Sequence, residues 1–515
     1  MKTFPKLVPL LILAAAVGCS APDGGTPTTT PVTKVTPSDD LAQRIAEASN
    51  GAVLELAAGT YTVTPPLVID SPITLRGVDA NRVTITNDPA GPEAEGERAT
   101  PNALGDGPTM VEVRSGTFSA SGITFAFEGT YDSNVVTVRD TTVDITNSVF
   151  TGGIRTQETI DAETYLGNGL DLLGSSEGTI RNARFRSNDG DGVRIAGTSS
   201  ATVEDSEASE NAIGITVENS ATAVLRNNET SRNSAWGMLF FSESSSTASG
   251  NDVRNNGDTG IMVRANTEAS LAGNTVTGNG GRGILVDGSA SASLSGNTVT
   301  DNGNTGIDFF ENASGSIEEN SIGGNGGDAG IGIGSSEAIT IRDNSISDDG
   351  DVGLRIRSGA MASVSGNVIE GSRLSGIRVD GDAQVSIRDN DVSGNGQSGI
   401  SIGGTVQGNF DDNVVTDNVV GFRIVDSATP DVSGNTISRN QVGVAYYGEA
   451  GGTMNDNALE ANEREGIVTW DSAQPSITNN DVTGNGSCGV RINDTSRPTL
   501  AGNTFDGNGS GSVCP

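Results

Sequence analysis

Residues 260–310 read GIMVRANTEASLAGNTVTGNGGRGILVDGSASASLSGNTVTDNGNTGIDFF. Gly260, Gly283 and Gly306 stand 23 residues apart, and an apolar–x–apolar triplet follows each, as in Ile261-Met262-Val263 and Ile284-Leu285-Val286. Between them Asn274-Thr275-Val276 returns as Asn297-Thr298-Val299, and a second asparagine follows five residues later at Asn279 and Asn302. Apolar–x–apolar is the alternation of a strand, two side chains inward and one outward. Gly, Ser, Thr, Asn and Asp fill the intervals, so each unit is two or three short strands joined by tight turns, with no room for a helix.

The period extends both ways. Fifteen glycines, from Gly169 through Gly237, Gly330, Gly376 and Gly443 to Gly489, recur 22 to 24 residues apart. One unit stacked many times is a solenoid, and stacking pairs each strand with its copy about 4.8 Å above and below. Like then sits on like. One register runs Asn228, Asn251, Asn274, Asn297, Asn320, Asn344, Asn367, Asn390, Asn413, Asn435, Asn457, Asn480, Asn503. A side-chain amide can donate to one neighbour and accept from the other, so such a column is expected to be a buried, satisfied ladder. A leucine-rich repeat has a similar period, but its Leu-x-x-Leu-x-Leu frame is missing here.

This repeat resembles that of the right-handed parallel β-helix proteins of the pectate-lyase-like superfamily. NGAVLELAAGTYTVTPPLVIDSPITLRG, Asn50 to Gly77, looks like the opening coils of many members. The resemblance covers about residues 40–515 and implies an all-β, single-stranded right-handed parallel β-helix. It is specific for fold and unspecific for activity, because the superfamily includes lyases, hydrolases, epimerases, adhesins and noncatalytic surface proteins.

At the N-terminus Lys2 and Lys6 precede an apolar run, Leu7 to Val17, too short to span a membrane and read as a signal peptide. Ala16-Val17-Gly18-Cys19 resembles a bacterial lipobox, with Ala in place of the more usual Leu. That resemblance implies a signal peptide over 1–19, lipidation of Cys19, and tethering of a secreted protein to the cell envelope, at the outer membrane or cell surface; a plain secretory signal is the alternative. Residues 20–38 read as a flexible spacer. Residues 39–165 are expected to hold the cap and irregular first coils, and 166–515 the regular repeats, about fifteen coils, with a C-terminal cap. Asp39 or Asp40 can cap a short helix carrying Leu41, Ile45 and Ala46, which would cover the open edge of the first coil. Long loops are expected at Asn87–Thr109 and near Thr151–Gly167. With Cys19 lipidated, Cys488 and Cys514 remain as a pair in an oxidising compartment, 26 residues and so three positions out of register apart; a disulfide between them requires the tail to curl back.

Composition narrows the chemistry. The formal net charge is −35, and no lysine follows Lys34. Such a surface looks adapted to high salt, argues against nucleic acid as a partner, and favours loosely bound Ca²⁺. There is no histidine, which excludes Ser-His-Asp and Cys-His catalysis and His-ligated metals. SGISIGG, Ser398 to Gly404, resembles a polygalacturonase segment, but Ser398 stands at the histidine position. GGNGGD, Gly323 to Asp328, matches the start of a calcium-binding nonapeptide that needs tandem copies, and only one is present.

The outward positions of the strand after each glycine form the least uniform surface. Phe241, Asp287, Asp308 and Phe310 lead to a glycine floor at Gly332 and Gly334; then come Arg355, Arg357, Arg378, Asp380, Arg423, Tyr447 and Trp470. Aromatics beside Arg and Asp suit a polysaccharide, whose rings stack on aromatic faces and whose carboxylates or sulfates pair with Arg. The expectation is a monomer that binds an extended polysaccharide along this row. If the chain is an enzyme, lyase or epimerase chemistry on a uronate polymer is expected. Arg355, Arg357 or Arg378 would then neutralise the substrate carboxylate, Tyr447 or an Arg would handle the proton, and Asp287, Asp308 and Asp380 would hold Ca²⁺. No acid–base pair stands out, and the near-uninterrupted coils favour the other reading, a noncatalytic adhesin or structural surface protein. A plain solvated sheet, or a face covered by the Asn87–Thr109 loop or another protein, is the further alternative.

Overall fold

The computed structural model describes residues 32–89, 107–157 and 166–515. Cys19 and its surroundings lie outside the described residues, as does most of the Asn87–Thr109 loop. Every coil visits three parallel sheets in turn. In one mid-stack coil these strands are Glu268–Ala272, Thr275–Thr277 and Ile284–Val286. The first sheet has 20 strands among the described residues. In all three sheets each strand pairs in register with the coil before and the coil after. The ladders are therefore open along the axis, and the fold is the expected all-β parallel β-helix.

Inside, identical positions stack. Ile261, Ile284 and Ile307 are successive register partners, as are Val276 and Val299. Phe125, Phe150 and Phe185 stack with ring centroids 5.2 and 5.0 Å apart. The corner between the first and second sheets needs a left-handed residue, φ +62° at Gly273 and +61° at Gly296, with Glu319 and Asp343 taking the same conformation elsewhere.

The corner that follows the second sheet explains the period glycines. A Cβ on Gly260 would lie 2.6 Å from Val276 Cγ1 and 2.8 Å from Asn279 Nδ2. Any side chain there would displace the ladder asparagine packed against it.

Both asparagine files are buried ladders. Asn274 donates from N and Nδ2 to Asn297 Oδ1, each at 2.9 Å, and its second Nδ2 hydrogen reaches back to the Ala248 carbonyl at 2.9 Å. Each amide thus binds three coils together. The second file runs from Asn188 through Asn279 to Asn508 with the same pattern, broken only at Asp349 and Ser372.

The ends differ from expectation in four ways. The spacer does not reach residue 38, because Val32–Val35 pairs in parallel with Val53–Leu56 and extends the first sheet by one strand. The early coils are regular, starting with Ala52–Leu56, Gly59–Val63 and Leu67–Ile69; the irregularity is confined to insertions after Asn87 and Thr151. Helix Leu41–Glu47 is capped by Asp40 and packs against Gly59–Val63 and Leu67–Ile69, but only Leu41 and Ile45 are buried and Ala46 faces solvent. Finally, the tail does not curl back. Gly511–Cys514 pairs directly with Cys488–Ile492, and Cys514 sits beside Arg491. The disulfide joins the buried Cys488 to Cys514 diagonally across the last pair of strands, at a Cα separation of 6.1 Å.

Candidate functional site

The third sheet presents two outward files. Register places Leu239, Met262, Leu285, Asp308, Gly332, Arg355, Arg378, Ser401, Arg423, Ala445 and Val468 in one line. Beside it run Phe310 and Gly334, then Arg357, Asp380, Tyr447 and Trp470 at the corresponding positions of later coils.

The face divides into three. Toward the N-terminus Leu239, Met262 and Leu285 form an apolar patch with Ile213, Trp236, Phe241 and Phe310 packed around it. Phe241 belongs to this patch and not to the charged strip. Asp287 pairs with Arg264 at 3.2 Å, also apart from that strip, and its burial raises its pKa.

The middle is a strip of paired charges. Asp308, 1 % exposed, is held by Arg282 at 2.9 Å and by Arg357 at 3.1 Å. Burial raises the Asp308 pKa, with Arg357 opposing. Arg357 starts two coils away and reaches back over the glycine floor. A Cβ on Gly332 would collide with Asp308 Oδ1 and stand 2.8 Å from Arg357 Nη1. The floor is therefore not open; it is the bed of the Arg357 side chain. The guanidinium carbon of Arg357 also lies 4.8 Å from the Phe310 ring centroid, and that of Arg282 5.6 Å. Arg355 pairs with Asp328 at 3.2 Å and with Asp380 at 3.5 Å, and Asp380 also takes Arg378 at 2.9 Å.

Arg423 is exposed, has no ion pair among the described residues, and lies 5.5 Å from the Tyr447 ring centroid. Trp470 follows, 36 % exposed. Along the strip and its ion-pair partners, five guanidinium groups (Arg282, Arg355, Arg357, Arg378, Arg423) face four carboxylates (Asp308, Asp328, Asp380, and Asp426, whose Oδ2 lies 3.3 Å from a Cβ on Gly403), a balance of +1 on a chain of −35.

Asp287, Asp308 and Asp380 are not brought together; each is engaged by arginine, and no cluster of three acidic groups among the described residues is arranged to hold a metal.

Sequence reading missed Arg282 and Asp328, which lie on turns beside the row, and a second cluster toward the N-terminus. Asp171 and Arg194 occupy the same outward position after Gly169 and Gly192 that Asp308 occupies after Gly306, so the signal was present. Asp171 accepts from Asn134 at 2.8 Å and Asn168 at 2.9 Å, and Arg194 donates Nε and Nη2 to Glu218, the former at 2.7 Å. Asp171 and Arg194 are 0 % exposed. Burial raises Asp171 to about 7, opposed by Arg194, and Asp191 to about 6, opposed by Thr216 and Arg194. This group is sealed inside the protein, where it fastens the face to the coils bearing the Thr151–Gly167 insertion.

The sequence profile described as "Right handed beta helix region" matches residues 119–299, 237–378 and 375–514. The chain belongs to the right-handed β-helix family. Among solved structures it is similar to the Dettilon tailspike protein, at 17 % identity, TM-score 0.45, covering 68 % of this chain and 69 % of that one. The A-module of the Azotobacter vinelandii mannuronan C-5 epimerase AlgE4 matches at 17 % identity, TM-score 0.34, with 67 % and 87 % covered. Pectate lyase Pel9A matches at 15 % identity, TM-score 0.30, with 66 % and 78 % covered. A search of curated proteins finds no match.

Proposed function

We propose that the strip from Asp308 to Trp470 binds an extended anionic polysaccharide, and that the protein is a binding or surface module of the cell envelope. The observation that carries this reading is the local excess of guanidinium groups beside the half-buried Tyr447 ring and the exposed Trp470, on a chain otherwise strongly acidic. Acidic surface elsewhere repels a polyanion, which concentrates it on the one face that does not. Asp308 and Asp380 are each held by two arginines, which suits fixed recognition better than proton transfer.

Arg355→Ala with Arg378→Ala is expected to weaken binding of uronate oligomers at least tenfold and to flatten its salt dependence, as read by titration calorimetry at several salt concentrations. Trp470→Ala is expected to weaken it with the salt slope unchanged. Wild-type affinities indistinguishable from those of both variants, or no binding at all, overturn the reading. Release of unsaturated or C5-inverted sugars in the same samples would replace binding by catalysis.

The envelope address is a proposal that rests on Ala16 to Cys19. Cys19→Ser is expected to abolish lipid labelling and move the protein to the soluble fraction; an unchanged membrane fraction with labelling intact rejects it.

A further inference from the structure

The second asparagine ladder is broken at one place, and the break lies beneath the arginine strip. From Asn188 to Asn325 each rung donates its N and Nδ2 to the Oδ1 of the rung after it, and the pattern resumes at Asn395. Asp349 and Ser372 stand between. Asp349 Oδ1 does what an asparagine oxygen does, accepting from Asn325 N at 3.0 Å and Nδ2 at 2.9 Å. Asp349 Oδ2 occupies the place of the amide nitrogen, tight against Gly330, where a Cβ would collide with it. In other rungs that atom donates to a main-chain carbonyl of the coil before, as Asn302 Nδ2 does to Val276 at 3.1 Å and Asn325 Nδ2 to Val299 at 3.1 Å. The register equivalent for Asp349 is the Ile322 carbonyl. Neither Asp349 Oδ2 nor Ser372 Oγ has a hydrogen-bond partner, and both residues are 2 % exposed.

An ionised carboxylate cannot donate. In the geometry of the other rungs it would turn lone pairs toward the Ile322 carbonyl in a site without water access, an arrangement that costs more than the single bond it lacks. A carboxylic acid, with its proton on Oδ2, reproduces the amide rung. We infer that Asp349 is carried as a neutral acid standing in for asparagine, and that its deprotonation loosens the turn which presents Arg355 and Arg357, making the arginine strip pH-responsive.

The placement supports the coupling. Asp349 lies in the turn that leads directly into strand Val352–Ile356, which carries Arg355 and is followed by Arg357. Gly353 of that strand packs against Ser372 Oγ, at 3.0 Å from an added Cβ. The surrounding charges do not neutralise an Asp349 anion. Asp348 on the same turn raises its pKa; Asp351 is paired with Arg373 of the following coil; Asp328 of the preceding coil is paired with Arg355. The groups in direct contact, Asn325 and Gly330, do not titrate. Burial pushes Asp349 to about 6, against the hydrogen bonds from Asn325. Because the folded value lies above the ordinary 3.8, the stabilising proton is fully in place below the unfolded value and is lost as pH rises through 6.

Asp349→Asn supplies the missing donor at every pH. The unfolding equilibrium constants of wild type and Asp349→Asn, measured in urea from pH 5 to 8, are expected to diverge with rising pH, the variant gaining about tenfold between pH 5 and pH 8. Asp171 and Asp191 titrate in the same window in both proteins and cancel in the comparison. Parallel curves overturn the neutral-acid assignment. Hydrogen exchange at residues 352–357, corrected for intrinsic pH dependence, is expected to lose protection between pH 5 and 8 in wild type and to hold it in the variant; equal loss in both overturns the loosening of the turn. The effect on ligand rests on the proposed binding function. Uronate oligomers are expected to bind wild type more weakly at pH 8 than at pH 5.5 by a larger factor than they do Asp349→Asn, and equal factors overturn the coupling. If wild type binds no oligomer, the binding function fails, while the unfolding and exchange results still decide the joint.

Discussion

Asn297→Leu, in the middle of the first ladder, is expected to destabilise the protein by about 3–5 kcal/mol, at about 1 kcal/mol for each hydrogen bond lost and more where a buried group is left unpaired. Four bonds go. Asn274 loses the acceptor of both its N and Nδ2, each now at 2.9 Å; the Leu271 carbonyl loses its donor at 2.9 Å; Asn320 Oδ1 loses one of two donors. The main-chain bonds from Asn297 N to Asn320 and from Ser321 N to the Asn297 carbonyl remain. Leucine adds apolar volume, but in a file 1–2 % exposed and lined by amides it has no apolar partner to replace. Urea denaturation reads the effect as a lower midpoint at unchanged slope. A shift of a few tenths of a kcal/mol would mean that water satisfies the ladder.

Arg194→Met should cost about as much, about 3–5 kcal/mol at pH 8, because removing one member of a buried ionic cluster leaves the others uncompensated. Arg194 is hydrogen-bonded to Glu218, and its charge holds down the pKa values of Asp171 and Asp191, which burial raises to about 7 and about 6. Folded values above the unfolded ones mean that these aspartates stabilise the fold when protonated and lose that contribution as pH rises. The defect of the variant should therefore shrink between pH 8 and pH 5, where the orphaned carboxyls take up protons. Measuring the unfolding free energy at both values tests this, and a loss of equal size at both would show that Arg194 acts through packing of its stem and not through its charge.

The period glycines and the asparagine files were legible because stacking turns a spatial neighbour into a fixed sequence interval. Gly260 and Asn279 are close in space for the same reason in every coil, so each repeat restates the evidence. What depends on a side chain crossing coils was not legible. The expected open floor at Gly332 and Gly334 is filled by Arg357, and nothing in a spacing tells which way a long side chain will lie. Likewise the three aspartates expected to share a cation are each claimed by arginines, four of the five of which come from other coils. Asp171 and Arg194 hold the same position after their glycines as Asp308 does, and so were open to the same reading, although Leu239, Met262 and Leu285 separate the two charged stretches. The burial of Asp171 and Arg194 could not have been read, because it comes with partners on other turns and coils, Asn134, Asn168 and Glu218. Asp349 was visible as an exception in a file of asparagines, although its meaning needed the unpartnered oxygen.

Every asparagine of the first amide file points the same way: main-chain and side-chain hydrogens go to the oxygen of the following coil, from Asn228 to Asn251 and onward to Asn503, and the second file does the same except at Asp349 and Ser372. A stack with such polarity tolerates change only in whole steps. Insert or delete one coil, and every donor still meets an oxygen; insert or delete half a coil, and two columns fall out of phase along their whole length. The separation between the guanidinium cluster and the Tyr447–Trp470 platform is therefore quantised in increments of about 4.8 Å. The molecule is a ruler whose graduations are set by hydrogen bonding, and selection on the length of whatever lies along it can act by counting coils.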